Sequence, residues 1–157
     1  MSVGDFDLVK EEQDELGVER RIWGVDMKPG KALVFGVRER TLVFGLPGNP
    51  ASAMVSFELL VRPALLRLMG HRKPTRPVYR AVADEPLSGS DEGVHVVRVR
   101  ARWEGDRWRI SSTGDQGAGR LRSMIGANGL AFVPEGSSIR AGEEVDLLLM
   151  REESEVL

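Results

Sequence analysis

Three short segments carry residue types that together could hold an anionic ligand. Ser2-Val3-Gly4-Asp5-Phe6-Asp7 has the small and acidic residues of a helix start, where free backbone N–H groups favour a phosphate or another oxyanion. Asp7 supplies a hard oxygen ligand suited to Mg²⁺. Lys28-Pro29-Gly30-Lys31 sets two cations on either side of a rigid turn. Leu46-Pro47-Gly48-Asn49-Pro50 leads into a second helix start, with Asn49 placed to cap it and Pro50 suited to the first helical position. Taken singly, each has a plainer reading. Pro-Gly-Asn-Pro is more often a strand-to-helix connector than a ligand cradle. Lysines beside a turn are usually solvated, and Asp5 and Asp7 serve equally well as helix-dipole partners.

The elements that must position these segments read as α/β in the first half. A helix is expected over 5–16, with Phe6, Val9 and Leu16 on one face and Gly17 as its stop. Arg20 to Met27 reads as a strand, and Pro29-Gly30 as the centre of a type II turn. Ala32 to Val37 and Thr41 to Gly45 read as a strand pair joined by a tight turn around Arg38-Glu39-Arg40. After Asn49, Met54, Phe57, Val61, Leu65 and Leu68 recur at helical spacing and predict a buried stripe. Pro63 should kink that helix or end its regular part, and Gly70 should end it. The basic, proline-containing stretch His71 to Pro77 marks a boundary between units 1–72 and 73–157. Beyond it the period becomes two. Val97, Val99, Ala101 and Trp103 alternate with Arg98, Arg100 and Arg102, which predicts one buried face and one solvated arginine face. A turn at Glu104-Gly105-Asp106 leads to a strand over 107–111, and 130–133 and 145–150 read as further strands. One helical turn is expected near Leu121 to Ile125, and 151–157 should be a frayed tail. Trp23, Trp103, Trp108 and His95 read as packing or strand residues.

Composition narrows the chemistry. The 157 residues include no cysteine and two histidines, which excludes disulfides, thiolate metal sites and histidine-rich centres. A net charge of −2 gives no electrostatic reason to expect nucleic acid or an anionic membrane as partner. No apolar run approaches a membrane span, and Met1 leads into an acidic stretch rather than a signal sequence. The expectation is a cytoplasmic protein.

Ser-Val-Gly-Asp-Phe-Asp at 2–7, Met-Lys-Pro-Gly-Lys at 27–31 and Gly-Leu-Pro-Gly-Asn-Pro-Ala-Ser at 45–52 resemble the MoeA family in order and spacing. That family includes the E domain of gephyrin. Gly119 to Met124 and Ala127 to Leu130 are similar to its final β domain. The resemblance implies the C-terminal part of a molybdopterin-binding, MogA-like α/β domain, followed by a small all-β, barrel-like domain. The implied reaction inserts molybdate into adenylylated molybdopterin with release of AMP, using Mg²⁺ or another divalent cation and a MogA-type adenylyltransferase as the upstream partner. Carried over by motif, Asp7 would be the catalytic and metal-linked acid, and Lys28 and Lys31 would hold anionic substrate. Ser2, Gly4, Asp5, Pro47, Gly48, Asn49, Pro50 and Ser52 would line the pocket. Gly93 and Ala118 stand where some members carry Arg and Ser near the molybdate, a departure from the family pattern that leaves only Arg120 and Ser123 as candidates in the second half. The family's pattern begins upstream of Ser2. The 157 residues alone are therefore expected to lack half the pocket, to be inactive by themselves and to associate as a homodimer through exposed apolar surface. A non-catalytic pterin- or partner-binding module is the alternative.

Overall fold

The structure, a computed structural model, describes residues 9–151. Ser2, Gly4, Asp5 and Asp7 lie outside the described residues, as do 5–8 of the helix expected over 5–16 and 152–157 of the expected tail.

In the first half, α1 (Val9–Glu15) ends where Gly17 takes a left-handed φ of +68°. Val18 N–H then bonds back to the Gln13 carbonyl, the wrap that ends a helix at such a glycine. Leu16 is exposed rather than packed. The strand expected over 20–27 is two strands: β1 (Glu19–Trp23), and β2 (Met27–Lys28), which belongs to a different sheet. β1 pairs antiparallel with β3 (Val34–Arg38), which forms a hairpin with β4 (Thr41–Gly45). Arg38 pairs with Thr41, so only Glu39 and Arg40 make the turn, and Glu39 adopts a φ of +54°. Such positive φ values match the twist of a two-residue hairpin loop.

α2 (Pro50–Ser56) runs through a π-helical turn (Phe57–Val61) into α3 (Arg62–Leu68). The π turn answers Pro63. A proline has no N–H and its ring crowds the preceding turn, and the widened turn bonds the Arg62 N–H to the Phe57 carbonyl, five residues back. Gly70, at φ +88°, closes the helix with the His71 N–H on the Leu66 carbonyl. The expected stripe is inverted: Met54, Phe57, Leu65 and Leu68 are exposed and only Val61 is buried. The buried face is Ala51, Ser52, Val55 and Ser56. Small side chains let this helix lie close against a sheet, and that proximity, which helical spacing does not encode, selects the face.

The second half is a barrel. β5 (Val78–Ala83) and β6 (Leu87–Ser88) precede the long β7 (Val94–Glu104), β8 (Arg107–Ser112), the single turn α4 (Arg122–Ile125), β9 (Gly129–Val133), β10 (Ser138–Ile139) and β11 (Glu144–Leu149). Five strands close in the order β7-β8-β5-β11-β9, with β9 pairing back onto β7. β5 and β8 are parallel and the other neighbours antiparallel. Val97, Val99, Ala101, Ile110, Ala131 and Leu147 fill the interior. The fold is thus an α/β region followed by a small barrel, with Gly105-Asp106 turning β7 into β8 as the sequence indicates. Trp103 departs from its expected burial and is half exposed, edge-on to Trp108. Trp23 is also exposed, with the Arg20 guanidinium over its ring at 5.4 Å.

The two halves are docked. β2 adds in parallel to the start of β7, Lys28 opposite His95. Met27, Ala51 and Val55 form one apolar cluster with Val96, Met124, Leu130 and Leu148 on the outside of the barrel. Between the halves, 71–77 carries no regular structure. We propose 1–72 and 73–157 as the two units and expect limited proteolysis to nick 71–77 first, leaving both flanks protected. Earlier cleavage within 50–69 would count against that division.

Candidate functional site

The docking creates a cleft of about 230 Å³ between the halves. Its walls are Met27 to Ala32, Pro47 and Ser52 from the first, and Glu92 and Ala118 from the barrel. Lys28, Lys31, Pro47 and Ser52, drawn from two separate motifs, therefore meet at one place. Gly48, Asn49 and Pro50 sit exposed on the outer side of the same loop and helix start. Asn49 occupies the N-cap position with extended backbone, but its side chain makes no capping hydrogen bond. Pro50 stands at the first turn as expected. Gly119 of the barrel lies beside the Asn49 side-chain oxygen.

The lysine turn is shaped by packing more than by turn preference. The Lys28–Pro29 peptide is cis, in place of the trans peptide of a type II turn. Gly30 has φ +118°, and a β-carbon there would stand 2.5 Å from Met27 Cε and 2.8 Å from Ser56 Oγ. No residue but glycine fits between strand and helix at that point. Both lysine side chains stay exposed. Lys31 Nζ meets the Glu92 carboxylate at 3.2 Å, both side chains well exposed. A solvated pair of this kind contributes at most about 1 kcal/mol, so an incoming anion could displace Glu92 at little cost.

The electrostatic surroundings are positive. His95, beside Lys28, has its pKa lowered by burial first, and also by repulsion from Arg98 and Lys28, while a hydrogen bond to the Ser88 carbonyl opposes the shift. That bond is 2.6 Å from Nδ1, so the neutral ring must carry its proton there. Arg98 corrects the sequence reading outright. Alternation puts it on a wet arginine face, yet it is fully buried. Its Nε donates to Ser123 Oγ at 3.1 Å and its Nη2 to the Gly117 carbonyl at 3.2 Å. The backbone of Arg98 is clasped by Gln116 as well. The loop 114–120, whose Ala118 walls the cleft, is thereby fixed to β7. Burial holds the guanidinium below its usual pKa, with Asp115 opposing. Alternation could not reveal this, because the cover comes from a loop some twenty residues away.

Of the two further candidates, Arg120 is exposed and paired with Asp115 at 2.9 Å, and Ser123 is buried against Arg98. Neither lines the cleft. Gly93 is pressed against the Asp26 backbone at φ +72°, leaving no room for a side chain. Among the described residues no group of three or more His, Cys, Asp or Glu could hold a metal ion.

Residues 1–67 match a family described as a probable molybdopterin binding domain, and residues 80–150 match the MoeA C-terminal region, domain IV. The chain belongs to the MoeA family. Similar MoeA relatives include the molybdopterin molybdenumtransferase of Staphylococcus epidermidis, 26% identical over 155 residues that cover 98% of this chain and 37% of the relative. That of Haemophilus influenzae is 29% identical, covering 94% and 37%. A molybdopterin biosynthesis MoeA protein from Pyrococcus horikosii superposes with a TM-score of 0.72 at 33% identity, over 93% of this chain and 35% of that one. This MoeA-family chain thus spans about 37% of the length of the curated relatives it matches.

Proposed function

We propose that the cleft is the share that these residues contribute to a molybdopterin molybdenumtransferase site. The observation that carries this reading is the convergence of Lys28, Lys31, Pro47 and Ser52 on one cleft closed by the barrel's Ala118 loop. Two exposed ammonium groups on a turn held rigid by its packing suit an oxyanion and a phosphorylated pterin. Such substrates need preorganised positive charge and oriented donors more than a nucleophile. In this reading Lys28 and Lys31 bind molybdate or the adenylylated molybdopterin, Ser52 and Pro47 shape the pocket, and molybdenum enters the pterin as AMP leaves. Ser2, Gly4 and Asp5 would complete the pocket, and Asp7 would hold Mg²⁺ or another divalent cation. A MogA-type adenylyltransferase would supply the substrate. A cytoplasmic homodimer is part of the same proposal, supported by the exposed Met54, Phe57, Leu65, Leu68 and Met69. No helix among the described residues is long and apolar enough to cross a membrane.

The test is calorimetric binding of adenylylated molybdopterin together with AMP release, with and without molybdate. The 157 residues alone should bind saturably. A protein that carries them within the family's full length should release AMP only when molybdate is present. Binding without release in that longer protein would indicate a non-catalytic pterin-binding module, and no binding in either would overturn the reading.

A further inference from the structure

A second recess, beside α4, has the chemistry of an anion site. It encloses about 310 Å³ and is lined by Arg100, Ser111, Ser112, Thr113, Arg122 and Gly126, sharing no residue with the cleft. Arg100 lies opposite Ser111 across the β7–β8 ladder, and Arg122 opens α4. Gly126 makes room for Arg100, since a β-carbon there would stand 3.3 Å from Nη2 of Arg100. The lining holds no carboxylate; Glu85, nearby, is tied to the Ser112 N–H at 2.7 Å.

The two arginines differ from their neighbours. Arg80, Arg102, Arg107, Arg109, Arg120 and Arg140 each pair with an aspartate or glutamate. Among the described residues, the side chains of Arg100 and Arg122 make no hydrogen bond or ion pair, although the Arg100 backbone lies in the β7–β8 ladder. The hydroxyls sort the same way. Ser112 Oγ is engaged with the Gly114 carbonyl and Gln116, and Thr113 Oγ1 with the Arg98 and Ser123 carbonyls. Two guanidinium forks and the Ser111 hydroxyl are left to face the recess. Two planar forks carry a double positive charge, which matches a tetrahedral dianion better than a single carboxylate. A neighbouring recess shares Arg100 and Gly126 and adds the apolar Ala101, Ile125 and Ala127 beside the polar Arg102, Asn128 and Arg151. An anion seated between the arginines would thus have room for an apolar body attached to it.

We propose that Arg100 and Arg122 form a binding site for a phosphomonoester, phosphoryl group between the two guanidinium groups and apolar body over Ile125 and Ala127. The site is separate from the cleft and does not depend on the function assigned to it. The test follows the Gly126 amide resonance while inorganic phosphate or phenyl phosphate is added to the 157-residue chain. Both should shift it saturably, phenyl phosphate about tenfold more tightly. Equal affinities would mean that the neighbouring recess plays no part and would overturn the phosphomonoester assignment. Arg122→Gln and Arg100→Gln should each weaken binding by about tenfold or more, with thermal unfolding unchanged. Lys28→Ala/Lys31→Ala should leave it intact. A Gly126 resonance that does not respond, binding that survives Arg122→Gln, or binding lost only with the lysines would each overturn the site and leave a solvated arginine face.

Discussion

Alanine in place of Arg98 is expected to lower the unfolding free energy by about 3 kcal/mol, the range for truncating a long buried side chain, and the melting temperature by roughly 6–12 °C. The side chain is 0% exposed. Its removal opens a cavity under the 114–120 loop and takes one hydrogen bond each from the Gly117 carbonyl and Ser123 Oγ, which keep only the Arg120 N–H and the Arg120 carbonyl as partners. One term runs the other way. The guanidinium is buried with no ion pair, and its Nη1 has no hydrogen-bond partner among the described residues, so removing it also ends a desolvation cost. Arg98→Met separates the two contributions, because it refills most of the volume without charge. The methionine variant should restore much of the melting temperature but not the anchoring of the loop, so amide exchange at Gly117 and Ala118 should stay fast in both variants. Wild-type melting of Arg98→Ala would show that the guanidinium is not integrated into the fold. Slow exchange at Gly117 in Arg98→Met would show that the loop holds itself.

In a protein that carries these residues within the family's full length, Asp7→Asn should abolish cofactor formation by a factor of roughly 100 to 1,000, the scale of losing one preorganised charge that acts in the transition state. Lys28→Ala and Lys31→Ala should each cost about tenfold. Stability should barely change for the lysines: both side chains are exposed, and the Lys31–Glu92 pair is solvated, where substitution moves stability by under about 0.5 kcal/mol. Lys31→Ala should cost somewhat more than the charge alone implies, because Glu92 is then left facing the cleft unpaired. Glu92→Gln in that background should recover part of the loss. Wild-type cofactor formation by Asp7→Asn would remove Asp7 from the chemistry and leave it as a helix-dipole partner. Equal losses of folding and activity in the lysine variants would place them in the scaffold.

What the sequence by itself determined is local. Pro50 at a helix start, Gly17 and Gly70 at helix ends, Gly105-Asp106 in a hairpin and a break in the regular helix at Pro63 all follow from what a residue's backbone allows or forbids, although the form of that break, a widened turn, was not legible. The lysine and Pro-Gly-Asn-Pro motifs were legible for the same reason, as rigid turns beside free donors. Tertiary structure decided the rest, because burial is set by what arrives from far along the chain. Helical spacing nominated Met54, Phe57, Leu65 and Leu68 as core, but close docking on the barrel chose Ala51, Ser52, Val55 and Ser56. Period two put Arg98 in water, and the loop after β8 covered it. The parallel pairing of β5 with β8 and the closure of β9 on β7 join strands that no short pattern relates. The meeting of Lys28 and Lys31 with Ser52 and Ala118 likewise required β2 to leave its neighbours and join the barrel strand at His95. A hydrophobic period reports that a face is apolar; only the packed neighbour determines which face is covered and which charge goes under with it.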